Sequence, residues 1–314
     1  MSHPKGYTYQ LLISFLFILP FTVKSQTETD GIMMQKNNFC SGFVFSHTTW
    51  KEYWEGTFQR DNPNLGTVTT NILTYMGNYG ITKKLNAIFG AGYVQTKASA
   101  GTLKGMKGIQ DLSLSLKWMP IEMKLNKGSL TIYGVAGISF PLSDYVTDYL
   151  PLSIGLGSKN LTFRVLSDYE TGKFFVTGSA AYVLRSNVTI DRTSYYTTEM
   201  HYTNEVEMPD AMNLNVRTGY RSNSLVAELT LDNSTTLGGF DIRKNDMPFP
   251  SNEMNATRAG AGLKYTVYKI PGLSLIGGGN YTISGRNVGQ STTIYGGAFY
   301  VLGFTRKNKT NNQK

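Results

Sequence analysis

The chain has 314 residues, 30 basic against 21 acidic side chains, a formal charge of +9, and 40% hydrophobic and 12% aromatic residues. Its single cysteine, Cys40, excludes a disulfide-built secreted fold, which needs several cysteines in even number. The basic residues are scattered, except at Arg306-Lys307-Asn308-Lys309, and form neither a patch nor a motif for nucleic acid, so no nucleic-acid partner is expected.

At the N-terminus, Lys5 precedes an apolar run from Leu11 to Phe21, and the small Ser25 precedes Gln26. A positive flank, a short apolar core and a small residue are the three parts of a cleaved secretory signal, here residues 1–25. The run, closed by Pro20 and Lys24, is too short for a membrane helix, which needs ~20 apolar residues. Removing the signal takes away Lys5 and Lys24 and no acid, and lowers the charge from +9 to +7. No later stretch approaches ~18 uninterrupted apolar residues, so a membrane protein built of helices is excluded. One built of strands is not, because barrel strands alternate apolar and polar residues and leave a weak hydropathy signal.

From about residue 50 to residue 304, helix signals are nearly absent and a period of two recurs. In Leu130–Phe140 one face reads Leu, Ile, Gly, Ala, Ile, Phe and the other Thr, Tyr, Val, Gly, Ser, which a strand places on opposite sides of a sheet. The pattern predicts about 12 strands: 49–60, 66–79, 84–97, 108–119, 129–141, 159–169, 173–186, 211–222, 224–233, 256–268, 273–285 and 292–304. The first two have an ambiguous apolar face. The connections alternate short (80–83, 170–172, 223, 269–272) and long (98–107, 142–158, 187–210, 234–255), with 120–128 intermediate. Transmembrane barrels have short periplasmic turns and long external loops, and an even strand count puts both termini on the periplasmic side. The last strand ends Phe299-Tyr300-Val301-Leu302-Gly303-Phe304, which resembles the signal read by the barrel-assembly machinery, although a polar tail, 305–314, follows it. A soluble β-sandwich would also alternate, but with shorter strands around a core of large residues. The expected fold is therefore all-β: a transmembrane, antiparallel, up-and-down barrel over residues 49–304, set in the lipid bilayer of an outer membrane.

Chemistry is sparsely encoded. After signal removal only His47 and His201 remain, with no zinc-ligand spacing and no nucleophile elbow. The glycine-rich pieces Gly101–Gly108 and Ile154–Ser158 lack the spacing and context of a phosphate loop. No enzyme activity, metal or cofactor is expected. The informative set is the polar face of the strands: Asp111, Lys117, Arg164, Asp168, Arg185, Arg217, Arg221, Glu228, Asp232, Arg258 and Lys264. A Lys or Arg on the lipid face costs ~2–4 kcal/mol at mid-bilayer, so these side chains are expected to line the lumen. Two readings stay open: a salt-bridged wall, or a basic slot that selects anionic or polar aromatic solutes.

The segments Gly31-Ile32-Met33-Met34, Trp50-Lys51-Glu52-Tyr53-Trp54-Glu55-Gly56, Gly108-Ile109-Gln110-Asp111-Leu112 and Gly155-Leu156-Gly157-Ser158 resemble outer-membrane transporters grouped under the MetA-pathway of phenol degradation, which are distantly similar to long-chain fatty-acid uptake barrels. The resemblance spans most of the mature chain. It implies a barrel that moves small hydrophobic or aromatic solutes, and it makes residues 26–48, with Ile32, Met33, Met34 and Phe39, a candidate lumen plug. A structural or adhesive barrel and an outer-membrane enzyme are the alternatives. Lumen size separates transport from structure, since eight strands fill themselves with side chains and 12 leave room for a passage.

Overall fold

The computed structural model describes residues 27–243 and 246–304; the expected signal (1–25) and polar tail (305–314) lie outside them. Twelve long strands run β1 Asn38–Trp50, β2 Val68–Gly80, β3 Leu85–Ala98, β4 Lys107–Leu125, β5 Gly128–Pro141, β6 Asn160–Thr171, β7 Phe174–Arg185, β8 Ala211–Arg221, β9 Leu225–Thr236, β10 Asn255–Thr266, β11 Leu273–Arg286 and β12 Thr292–Gly303. Each pairs antiparallel with its chain neighbours, and β1 pairs with β12 to close the barrel. Closure leaves no open edge around the ring, so the wall's backbone groups pair within the wall.

The alternation read from the sequence is what turns the wall inside out relative to a soluble protein. Leu114, Leu116 and Trp118 of β4 and Leu161, Phe163 and Val165 of β6 stand exposed on the outer surface. Their neighbours Ser115, Lys117, Arg164 and Asp168 turn away from it, with Lys117 wholly enclosed.

Two stretches differ from the sequence expectation. The first barrel strand is Asn38–Trp50, not 49–60; Glu52–Glu55 and Phe58–Asp61 instead form a small hairpin within the loop that follows. The wall therefore begins at Asn38, and residues 38–48 are not part of a separate segment. The cause is visible in β1, where each face mixes apolar and polar residues: Cys40 and Val44 share the inner face with Asn38, Ser46 and Thr48, and Phe43 and Phe45 share the outer face with Ser41 and His47. Phe43 and Phe45 are exposed outward, while Cys40 and Val44 pack inward with Met34, Met76 and Phe299. The mixture on both sides blurs the period-two contrast. Second, β4 continues to Leu125 through a bulge between Trp118 and Ile121, where 120–128 reads as a connection.

The turns at 81–84, 126–127, 172–173, 222–224 and 267–272 close one end, and the loops 51–67, 99–106, 142–159, 186–210 and 237–254, all longer than those turns, crown the other together with the short 287–291. The crown is packed. Leu152 of the 142–159 loop is fully buried with Leu65 and Val68, and its carbonyl accepts from Thr96 Oγ1 at 2.6 Å, so this loop leans across the mouth. Val188, Ile190, Tyr195, Val206 and Met208 cluster against Leu156 and Phe249. Asn287 ties three loops together: its Oδ1 accepts from Gly56 N (2.8 Å) and Ile242 N (3.0 Å), and its Nδ2 donates to Asp241 Oδ1 and the Glu253 carbonyl (both 2.8 Å).

Candidate functional site

Residues 27–36 lie inside the barrel. The chain leaves the foot of β1 through Asn37, which adopts a left-handed φ of 61° and whose N–H donates to the Gly80 carbonyl at 2.8 Å. Asparagine tolerates that region because its short polar side chain can hydrogen-bond locally. Ile32 and Met34 are buried; Met34 packs with Cys40 and Phe299, and Met33 lies against Tyr133, Val135 and Leu166. Beyond Ile32 the contacts turn polar. The Asp30 carboxylate accepts from Thr27 N (2.5 Å), Thr27 Oγ1 (3.1 Å) and Ile32 N (3.1 Å), which curls the segment into a turn.

Lys117 holds that turn. Its ammonium donates to the carbonyls of Thr27 (3.1 Å), Asp30 (2.5 Å) and Ile32 (3.0 Å), and to Asp30 Oδ1 (3.1 Å). Its side chain has no exposure. Tyr133, whose ring lies 5.0 Å beneath the ammonium, donates to the Gly31 carbonyl at 2.9 Å, and Ser115 donates to Glu28 at 2.5 Å. Position 31 has to be glycine for this fit: a Cβ there would sit 2.1 Å from Asp168 Cγ. Isolated ammonium burial is costly unless the charge is paired and hydrogen-bonded. Here segment 27–32 supplies all four oxygens, so the enclosed Lys117 and the segment stabilise each other.

The other candidate charges all lie on the face opposite the exposed apolar set, and their contacts fall into local groups. Asp168 accepts from Thr177 Oγ1 and from Arg221 at 3.0 and 3.3 Å; Arg221 also reaches Glu170 at 2.9 Å and stacks 4.0 Å over the Phe175 ring. Arg217 pairs with Glu228 at 3.2 Å, and Asp232 accepts from Asn215 and stands opposite Arg258 in the ladder. Arg164 donates to Ser179 at 3.2 Å, and Arg185, near the crown, to the Pro209 carbonyl at 3.4 Å. Asp111 accepts from Tyr145 of the 142–159 loop at 2.9 Å. Among the described residues Arg164, Arg185 and Arg258 form no ion pair.

A cavity of about 360 Å³ remains between segment 27–32 and the wall of β8–β12, β1 and β2. Asp30, Ile32, Val44, Met76, Arg217, Glu228, Asp232, Lys264, Ile276, Asn280 and Tyr295 line it. Sequence reasoning missed Glu28, Asp30, Asn280 and Tyr295. The 27–36 segment has no periodicity to place Asp30. Tyr133, on the polar face of the clearest strand, was the one available signal for an inward hydrogen-bond donor.

No family model matches the chain, and no curated protein matches it in sequence. By structure, it is similar to an outer-membrane channel from Pseudomonas putida F1, with a TM-score of 0.69 at 11% identity, covering 89% of this chain and 100% of that one. The NanC porin (TM-score 0.44, 8% identity, 82% and 98% covered) and the CymD monoaromatic hydrocarbon channel (TM-score 0.39, 11% identity, 87% and 90% covered) superpose less closely. At these identities the likeness is one of fold.

Proposed function

We propose that this chain is an outer-membrane channel for passive entry of small solutes, hydrophobic or aromatic ones included, with residues 27–36 as a gate in its lumen. One observation carries the reading: the barrel is wide enough to hold a peptide segment inside its wall and still leave about 360 Å³ beside it. An eight-stranded barrel would fill itself with side chains and leave no such space. The exposed apolar outer face suits a lipid bilayer, and the aromatic end of β12, with Tyr300 and Phe304 exposed, suits recognition by the assembly machinery. The polar hold on residues 27–32 supports the gate, because water entering the lumen can replace carbonyl and carboxylate contacts far more readily than apolar ones. The candidate charges enter this reading as a partly paired wall, with Lys117, Arg217 and Arg221 in ion pairs and Arg164, Arg185 and Arg258 outside them among the described residues.

Swelling of liposomes loaded with the refolded chain tests it. The wild type should pass small neutral solutes slowly, and a chain lacking residues 27–34 should pass them faster. A barrel that folds in both forms and passes solute in neither would refute the channel.

A further inference from the structure

We propose that the cavity beside the gate is a binding site for a compact, uncharged solute that carries a hydroxyl or carbonyl group. The proposal rests on the lumen being a route for small solutes and adds which of them it retains.

The cavity exists because of glycines. Gly262 of β10 and Gly278 of β11 lie beneath the Tyr295 side chain: a Cβ at Gly262 would stand 2.9 Å from the Tyr295 hydroxyl oxygen, and one at Gly278 2.5 Å. Without side chains there, the tyrosine lies along the wall and does not cross the lumen. The space left equals about a dozen waters at ~30 Å³ each, enough for one six-membered ring with a substituent.

Charge decides the class. The lining carries three cations, Arg217, Arg221 and Lys264, and three carboxylates, Asp30, Glu228 and Asp232. Arg217 pairs with Glu228 and Arg221 with Asp168, while Asp30 is held by Lys117 and Asp232 accepts from Asn215. An entering ion would lose hydration and meet opposite charges that are already engaged. A bare hydrocarbon fits no better. Asn280 Oδ1 and Arg217 Nε are buried without a hydrogen-bond partner among the described residues, one able to accept and the other to donate. A hydroxyl or carbonyl group can satisfy what a hydrocarbon would leave unpaired, while Ile32, Val44, Met76 and Ile276 offer the apolar surface for the rest of the molecule.

The test uses the full chain trapped in amphipol and three probes of one shape: cyclohexanol, cyclohexanecarboxylate and cyclohexylammonium. Saturation-transfer NMR should rank cyclohexanol at least tenfold above either ion. Gly262→Leu, whose Cβ would meet first the Tyr295 hydroxyl and the Glu228 side chain, should abolish the cyclohexanol signal above the amphipol background. Tyr295→Phe should weaken it about threefold, and serves alone if Gly262→Leu does not fold. Equal or tighter binding of an ion, or binding indifferent to both substitutions, overturns the proposal. Cyclohexanol binding in a chain that gives no liposome swelling keeps the site and removes the passage; swelling without site-specific binding does the reverse.

Discussion

Replacing Lys117 with Met should open the gate while leaving the wall intact. In the wild type, the Lys117 ammonium is fully enclosed and donates to four oxygens of residues 27–32 at 2.5 to 3.1 Å. Methionine has similar length but no donor, so Asp30 is left as a carboxylate in a poorly hydrated place. Breaking a buried pair by removing one partner costs about 3–5 kcal/mol, of which water from the adjacent cavity can recover part. At ~1.4 kcal/mol per tenfold, even half of that moves the open-to-closed ratio of the gate by roughly ten- to sixtyfold. Nothing in the barrel ladders passes through Lys117 Nζ, so heat-modifiable gel migration should match the wild type. Swelling rates should rise. Asp30→Asn, which removes the other charge, should raise them too. The double variant should gain much less than the two single gains added together, because both substitutions cut one contact. Unchanged swelling in Lys117→Met, or simple additivity with Asp30→Asn, would show that the Lys117–Asp30 contact does not hold the gate.

Leu114→Arg, on the exposed outer face, should impair insertion by about 2–4 kcal/mol, whereas Ser115→Arg, which points inward, should leave insertion intact; equal gel mobility of the folded forms would mean the faces are misassigned. Cysteines introduced at Thr197 and Lys104, in the loop crown, should label on intact cells, and one at Asn223 should not; labelling of Asn223 alone reverses the orientation. Asn287→Ala deletes four hydrogen bonds between loops 51–67, 237–254 and 287–291, each worth roughly 0.5–1.5 kcal/mol, and should make these loops protease-sensitive without melting the barrel. The Arg286 hydrogen bonds, at 2.8 Å, hold the Asp241 carboxyl below its ordinary 3.8, so this clasp is fully present above that value and is lost as pH falls through the lower folded-state value. Loop protection from protease should therefore fade only in strong acid, and fading near neutral pH would exclude Asp241 as its cause.

The barrel was legible wherever one face met lipid and the other met polar groups. β4 to β10 show this contrast, and their expected bounds lie within a few residues of the observed ones, apart from the extension of β4 beyond its bulge. It was not legible where the lumen itself is apolar. β1 turns Phe43 and Phe45 outward and packs Cys40 and Val44 against Met34 and Met76, so alternation marks it weakly, and the expected strand at 49–60 falls mostly on the hairpin 52–61, which belongs to the crown. Inward charges such as Lys117 and Arg164 follow from alternation alone, because each sits between outward apolar residues. Their partners do not. The neighbours of Lys117 come from residues 27–32, far off in sequence and without periodicity, and the pairing of Arg217 with Glu228 depends on register between strands that the sequence does not print.

Segment 27–37 enters through the turn end, continuous with the foot of β1, the strand that meets β12 to seal the cylinder, and deeper in the lumen only side chains such as Ser115, Lys117 and Tyr133 hold it. It crosses no ladder, so it can be fed in after the seam has closed and drawn out again without unzipping a single strand pair. The topology thereby permits a closed, empty tube as a stage of assembly. On the proposed gate reading, the melting temperature of the tube and the working equilibrium of the gate should be set by largely separate contacts, the strand ladders for the one and the hold of Ser115, Lys117 and Tyr133 for the other. Mutation can make the first very high while leaving the second near balance, a combination closed to proteins whose moving part is also one of their structural beams.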